Sequence, residues 1–141
     1  MIEVVNRQRK ISVNSKFWQQ FAAHAVTEIA ETEGKFFTLA FVSDRKMREL
    51  NKQFRGKNTT TDVLSFPFEA DEFEADENTL GDIVISVEQA ERQAAENNLD
   101  FEAEIKQLIL HGILHLCGYD HETDTGEMNA REIQLRDDLK I

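Results

Sequence analysis

The chain has 141 residues, 40% hydrophobic and 30% charged, the profile of one globular domain spanning 1–141 that can bury a core without covalent staples. Its one cysteine, Cys117, excludes an intramolecular disulfide; the N-terminus MIEVVNRQRK predicts no secretory leader, and the apolar runs are too short for a membrane span, so a soluble, cytoplasmic protein without a membrane partner is expected. A net charge of −11 argues against a polyanion partner, yet Arg45 to Lys57 holds six basic side chains against one acid, a local +5 that leaves −16 on the rest of the chain.

Residues 2–5 (IEVV) predict a first strand. From 15 to 31, apolar positions at Phe17, Phe21, Ala25 and Ile29 recur every four residues, the pattern of an amphipathic helix capped by Asn14 or Ser15 and ended by Gly34. The run FFTLAFV, 36–42, predicts a buried strand. Asp44 can cap a basic helix reaching about Phe54, which Gly56 and Asn58 break. The alternating DVLSFPF, 62–68, predicts a strand, and Pro67 places it close to a sheet edge. Six acids and no base between Glu69 and Glu77 predict an exposed loop or hairpin tip over 69–79. Another strand is expected over 81–85 (GDIVI). Ser86 with Gln89 forms a capping-box pair for a helix to about Asn97. Asp100 can cap a helix over 101–116, and Thr125 a last one ending near Leu139. Strands and helices do not alternate strictly, which favours α+β: a mixed sheet of about four strands with helices packed on it.

The stretch 108–121 is LILHGILHLCGYDH. Each helical residue turns about 100°, so His111 and His115 lie about 40° apart on one face, one turn up, the spacing at which two imidazoles reach one ion. Gly118 is a natural helix terminator, after which the chain can double back and bring His121 to the same ion. Three neutral imidazoles suit zinc and leave a fourth position open for water, the mark of a catalytic site. Cys117, about 200° round the helix from His115, faces away and is expected to be a small buried apolar residue. His24, the remaining histidine, has no partner in sequence and is read as structural. The frame H-x3-H-x2-G-x2-H overlaps that of the metzincin peptidases, but Gly112 stands where those enzymes carry their general-base glutamate.

HGILHLCGYDH resembles the signature of the YbeY family, bacterial metal-dependent endoribonucleases of ribosomal RNA maturation. LNKQFRGKNTTTDVLSFP (50–67) and LGDIVIS (80–86) resemble two further blocks of that family, in the family's order. The resemblance implies an α+β fold with the metal-carrying helix beside a four-stranded sheet. It implies zinc, with another divalent ion as the alternative, held by His111, His115 and His121, which with Arg55 form the catalytic set. It implies a single-strand endoribonuclease acting on the 3′ end of small-subunit ribosomal RNA and in ribosome quality control, with the small subunit or its proteins as partners and no DNA substrate. The segment between His121 and Met128 is short for the family, a departure that touches the last helix rather than the site.

Zinc lowers the pKa of a water ligand toward neutrality, and the expected reaction is attack of that water on an RNA phosphodiester. Arg55 is the candidate for the two-pronged bond to the charged phosphoryl oxygens, with Lys52 and Lys57 on flanking phosphates. Each of these three can instead be an ordinary surface cation. No general base is evident. Asp120 and Glu122 flank a ligand and can orient an imidazole or cap a turn. Thr59, Thr60 and Thr61 offer hydroxyls near Arg55, Asp62 can fix the loop, and Tyr119 can stack on a base but is better suited to packing. The acidic majority would repel RNA everywhere except at the basic segment. Two rivals stand beside this reading: a zincin-like metallopeptidase or amidohydrolase, and a non-catalytic ribosome assembly factor whose zinc ties the last helices together.

Overall fold

The computed structural model describes residues 2–68, 78–120 and 122–141. Chain order is β1 (Glu3–Asn6), α1 (Ser15–Glu28), a single 3-10 turn (Ala30–Thr32), β2 (Phe36–Val42), α2 (Asp44–Arg55), β3 (Val63–Pro67), β4 (Thr79–Ser86), α3 (Val87–Glu96), α4 (Phe101–Leu116) and α5 (Glu127–Leu139). Of the loop or hairpin tip expected over 69–79, residues 69–77 lie outside the described residues, and Thr79 already belongs to β4. Among the described residues no helix is long and apolar enough to cross a membrane.

The four strands form one mixed sheet in the order β1-β2-β4-β3, with β1, β2 and β4 parallel and β3 antiparallel to β4. Period-two alternation sorts the side chains onto two faces. Phe37, Leu39, Phe41, Ile83 and Ile85 face the main core, where α1, α4 and α5 cover them. Val42, Leu64 and Val84 face the other way and pack with Met47 of α2. Strand β3 is an edge, and its Pro67 sits where a missing N–H costs the sheet nothing.

Four expectations change. The buried face of α1 is carried by Trp18, Ala22, Ala25 and Val26, while Phe17 and Phe21 are only half-buried. A strict repeat of four drifts about 40° per step, so it cannot hold one side of a helix for long. That helix stops at Glu28, because Ile29 takes extended angles to enter the 3-10 turn. The cap of α2 is Ser43, whose Oγ accepts from Lys46 N at 3.2 Å. Asp44 is engaged elsewhere, accepting from Ser86 Oγ at 2.6 Å, Thr60 Oγ1 at 3.0 Å and the Arg92 guanidinium. At α5 the residue before the helix is Gly126, and Asp124 acts in place of Thr125, accepting from Met128 N at 2.9 Å. Asn14, Ser86 and Asp100 cap their helices as expected.

Helix α4 approaches the sheet closely through Gly112. A Cβ there would lie 2.9–3.1 Å from three side-chain carbons of Ile83 on β4. Glycine lets the helix settle against the strand, and this sets the height of the following turn above the edge strand.

Candidate active site

Strand β3, the C-terminal end of α2 and the C-terminal half of α4 enclose a cleft of about 840 Å³. All five residues of β3 line it, as do Phe54 and Arg55 from α2 and His111 and His115 from α4. The turn that closes α4 supplies Gly118, Tyr119 and Asp120. Gly118 has φ +101° and its N–H bonds His115 O at 3.0 Å, while Tyr119 N–H reaches back to Leu114 O at 3.0 Å. This is the paired backbone closure that requires a left-handed residue, so the glycine ends the helix one turn past the histidines.

The two histidines lie as their spacing predicts. Their rings are 4.6 Å apart and the two Nε2 atoms face each other at 3.0 Å. The opposite nitrogen of each ring is held. His115 Nδ1 lies 3.0 Å from Tyr119 O, and a carbonyl only accepts, so that nitrogen carries the proton. His111 Nδ1 lies 2.5 Å from Glu132 Oε1 on α5. Burial pushes the Glu132 carboxyl up, but the hydrogen bond from His111, with Arg136 close by, more than offsets this and leaves it below its ordinary value. It stays an acceptor, and His111 Nδ1 donates to it. Both Nε2 atoms are thereby acceptors turned toward one small region.

That donor set fits a zinc ion. Ligand nitrogens about 2.0–2.1 Å from a tetrahedral ion stand about 3.3 Å apart, close to the observed 3.0 Å, and ligating imidazoles characteristically donate their second N–H to a carboxylate or carbonyl. His121, the expected third ligand, lies outside the described residues, and among the described residues no group of three such side chains gathers.

Arg55 stands at the mouth of the cleft, exposed, and makes no hydrogen bond or ion pair among the described residues. Arg92, Arg131 and Arg136, by contrast, are each tied to a carboxylate. Lys52 and Lys57 are exposed on the same end of α2 but outside the cleft lining. Asp120 caps the turn after α4, accepting from Glu122 N at 3.0 Å, and Glu122 lines the cleft; neither holds His111 or His115 at Nδ1. Asp62 fixes its loop through Val63 N at 2.8 Å, and Asn51 Nδ2 secures Thr59 O at 2.9 Å. Tyr119 packs against the core and donates its hydroxyl to Glu31 at 2.9 Å. Cys117 is outside the cleft, and burial pushes its thiol up to about 11. His24 is exposed on α1.

Sequence reasoning did not find Glu132. Its signal is present: Met128, Glu132 and Leu135 share the buried stripe of α5, and an acid on an apolar stripe needs a partner.

The Endoribonuclease YbeY family model matches residues 3–140. The Endoribonuclease YbeY of Clostridioides difficile is 39% identical, across 96% of this chain and 94% of its own length. That of Thermodesulfovibrio yellowstonii is 38% identical, across 99% and 97%. Among solved structures, the solution structure of TM1509 from Thermotoga maritima is similar over 99% of this chain and 89% of its own, with a TM-score of 0.65 and 29% identity.

Proposed function

The chain belongs to the Endoribonuclease YbeY family, and from that premise we propose that it is a cytoplasmic, zinc-dependent endoribonuclease that cuts unpaired RNA, with the 3′ end of small-subunit ribosomal RNA as its substrate. The observation that carries the metal is the pair of Nε2 acceptors converging at 3.0 Å with both Nδ1 protons fixed elsewhere. His111, His115 and His121 would hold the ion. When bound, zinc supplies a Lewis acid and water made acidic enough to act near neutral pH. The chain's own groups do the rest. Glu132 and the Tyr119 carbonyl hold both imidazoles in the tautomer that ligates. Arg55, which makes no ion pair among the described residues, is available for a two-pronged bond to the non-bridging oxygens of the scissile phosphate. Lys52 and Lys57, beside the cleft, would hold flanking phosphates.

A peptidase reading draws on β3, an edge strand beside the histidine helix to which an extended peptide could add. It fails at the general base. Position 112 faces Ile83, so a glutamate there would be driven into the sheet.

Metal content and RNA cleavage, measured together on wild type and His115→Ala, test the proposal. We expect about one zinc per chain in the wild type, with metal and cleavage both lost in the folded variant and casein left uncut. A metal-loaded wild type that cuts no RNA would overturn the catalytic role and leave the zinc a structural tie in an assembly factor.

A further inference from the structure

Phe54 is 57% exposed, an unusual fraction for a phenylalanine in a helix. Exposure alone means little: Ile133 on α5 is as exposed and is not among the residues that line the histidine cleft. Phe54 differs in its position. It lines the cleft, it precedes Arg55 in sequence, and its ring meets Phe66 of β3 in a T-shaped contact at 5.1 Å and 67°. Phe66 packs on the smaller core, so the Phe54 ring leans on a packed neighbour while most of the residue stays open to solvent. On the same helix and just past its end, Arg48, Lys52, Arg55 and Lys57 are all exposed and make no ion pair among the described residues. An apolar protein surface would gain little from that uncompensated charge. A polyanion with flat, stackable groups satisfies both features, because every base has a π face and every linkage a phosphate.

We infer that Phe54 is a stacking platform for an unpaired nucleobase, one residue from the guanidinium that takes the adjoining phosphate. The inference rests on the ribonuclease reading and sharpens it. A paired base keeps its faces inside the duplex, so the platform selects single-stranded RNA at the cleft mouth and sets which linkage reaches the histidines.

The test is fluorescence anisotropy of a short, phosphorothioate-linked oligoribonucleotide, single-stranded and annealed to its complement, with zinc-loaded wild type, Phe54→Ala, Phe54→Trp and Arg55→Ala. Phe54→Ala should weaken binding of the single strand by about 5- to 150-fold, the worth of one stacked base, and leave duplex binding unchanged. Its salt dependence should keep the wild-type slope, whereas Arg55→Ala should lower the slope, since only the latter removes a phosphate contact. Phe54→Trp should keep the affinity and show tryptophan quenching on binding, against a native Trp18 that is buried. A wild type that binds and cuts RNA while Phe54→Ala binds the single strand equally well overturns this inference and spares the ribonuclease reading. A wild type that neither binds nor cuts RNA overturns both. Equal losses on single strand and duplex, or an unquenched Phe54→Trp, also overturn it. So does intact RNA affinity in Phe54→Ala with lost cosedimentation on small ribosomal subunits, which would assign the ring to a protein contact.

Discussion

His111 sits on α4 and Glu132 on α5, and the 2.5 Å contact between them decides which imidazole nitrogen faces the cleft. A neutral histidine has one donor and one acceptor nitrogen, so fixing the proton at Nδ1 commits Nε2 to ligation. Glu132 is nearly buried, at 7% exposure, and Arg136 supports its second oxygen at 3.2 Å. Removing its charge should therefore act on metal affinity before it acts on the fold. We expect Glu132→Gln to weaken zinc binding by about tenfold and Glu132→Ala by up to about 100-fold, read by titration against a competing chelator, with melting curves showing both variants folded. Equal zinc affinity in all three proteins would remove Glu132 from the site. The histidine pair was legible because its spacing encodes its geometry within one helix. Glu132 was not, because its role depends on how α5 docks, and nothing local to residues 127–139 states that.

Helix α4 and strand β4 meet at Gly112 and Ile83, where two opposing effects can be weighed. Alanine in place of a helical glycine gains about 1 kcal/mol of helix propensity. Overfilling a packed interface costs about 1–3 kcal/mol. A Cβ would stand 2.9–3.1 Å from Cδ1, Cγ2 and Cγ1 of Ile83, and the two branch carbons cannot swing away as a flexible tip would. The steric term should win, so Gly112→Ala should destabilise the protein. In an Ile83→Ala background all three contacts vanish and the same change should stabilise it. Urea unfolding of the four proteins checks the reversal; a same-signed effect in both backgrounds would mean the helix tolerates the methyl by shifting. Most elements were legible at this scale, since period and capping residues are local. Strand β2 matches residue for residue, while the cap of α2 moved to Ser43 because Ser86 and Arg92, more than forty positions away, claim Asp44. Local sequence offered two adjacent caps, and tertiary partners chose.

Across the whole molecule, one carboxylate joins segments 100 positions apart. Arg131 of α5 grips Glu31 with two bonds of 2.7 Å, and Tyr119 donates to the same carboxylate, so the 3-10 turn, the turn after α4 and α5 share one anchor. Tyr119 also holds His115 through its carbonyl, which carries the anchor to the cleft. Hydrogen bonding from Arg131 holds the Glu31 carboxyl down at about 2, against an ordinary 4.5, while the neighbouring Cys117 thiol, pushed up to about 11, stays neutral in acid. A group whose pKa is lower folded than unfolded takes up protons more readily in the unfolded chain as acid is added. Its stabilisation is therefore complete above 4.5 and drains away as pH falls toward 2. Wild type should exceed Glu31→Gln in stability by a constant amount near neutral pH, and that margin should close across this window. The other carboxylates are common to both proteins, so what they contribute cancels in the difference. Urea unfolding in steps of pH reads the margin directly: one that closes assigns part of the acid unfolding limb to Glu31, and one that stays flat or widens toward pH 2 places that limb elsewhere.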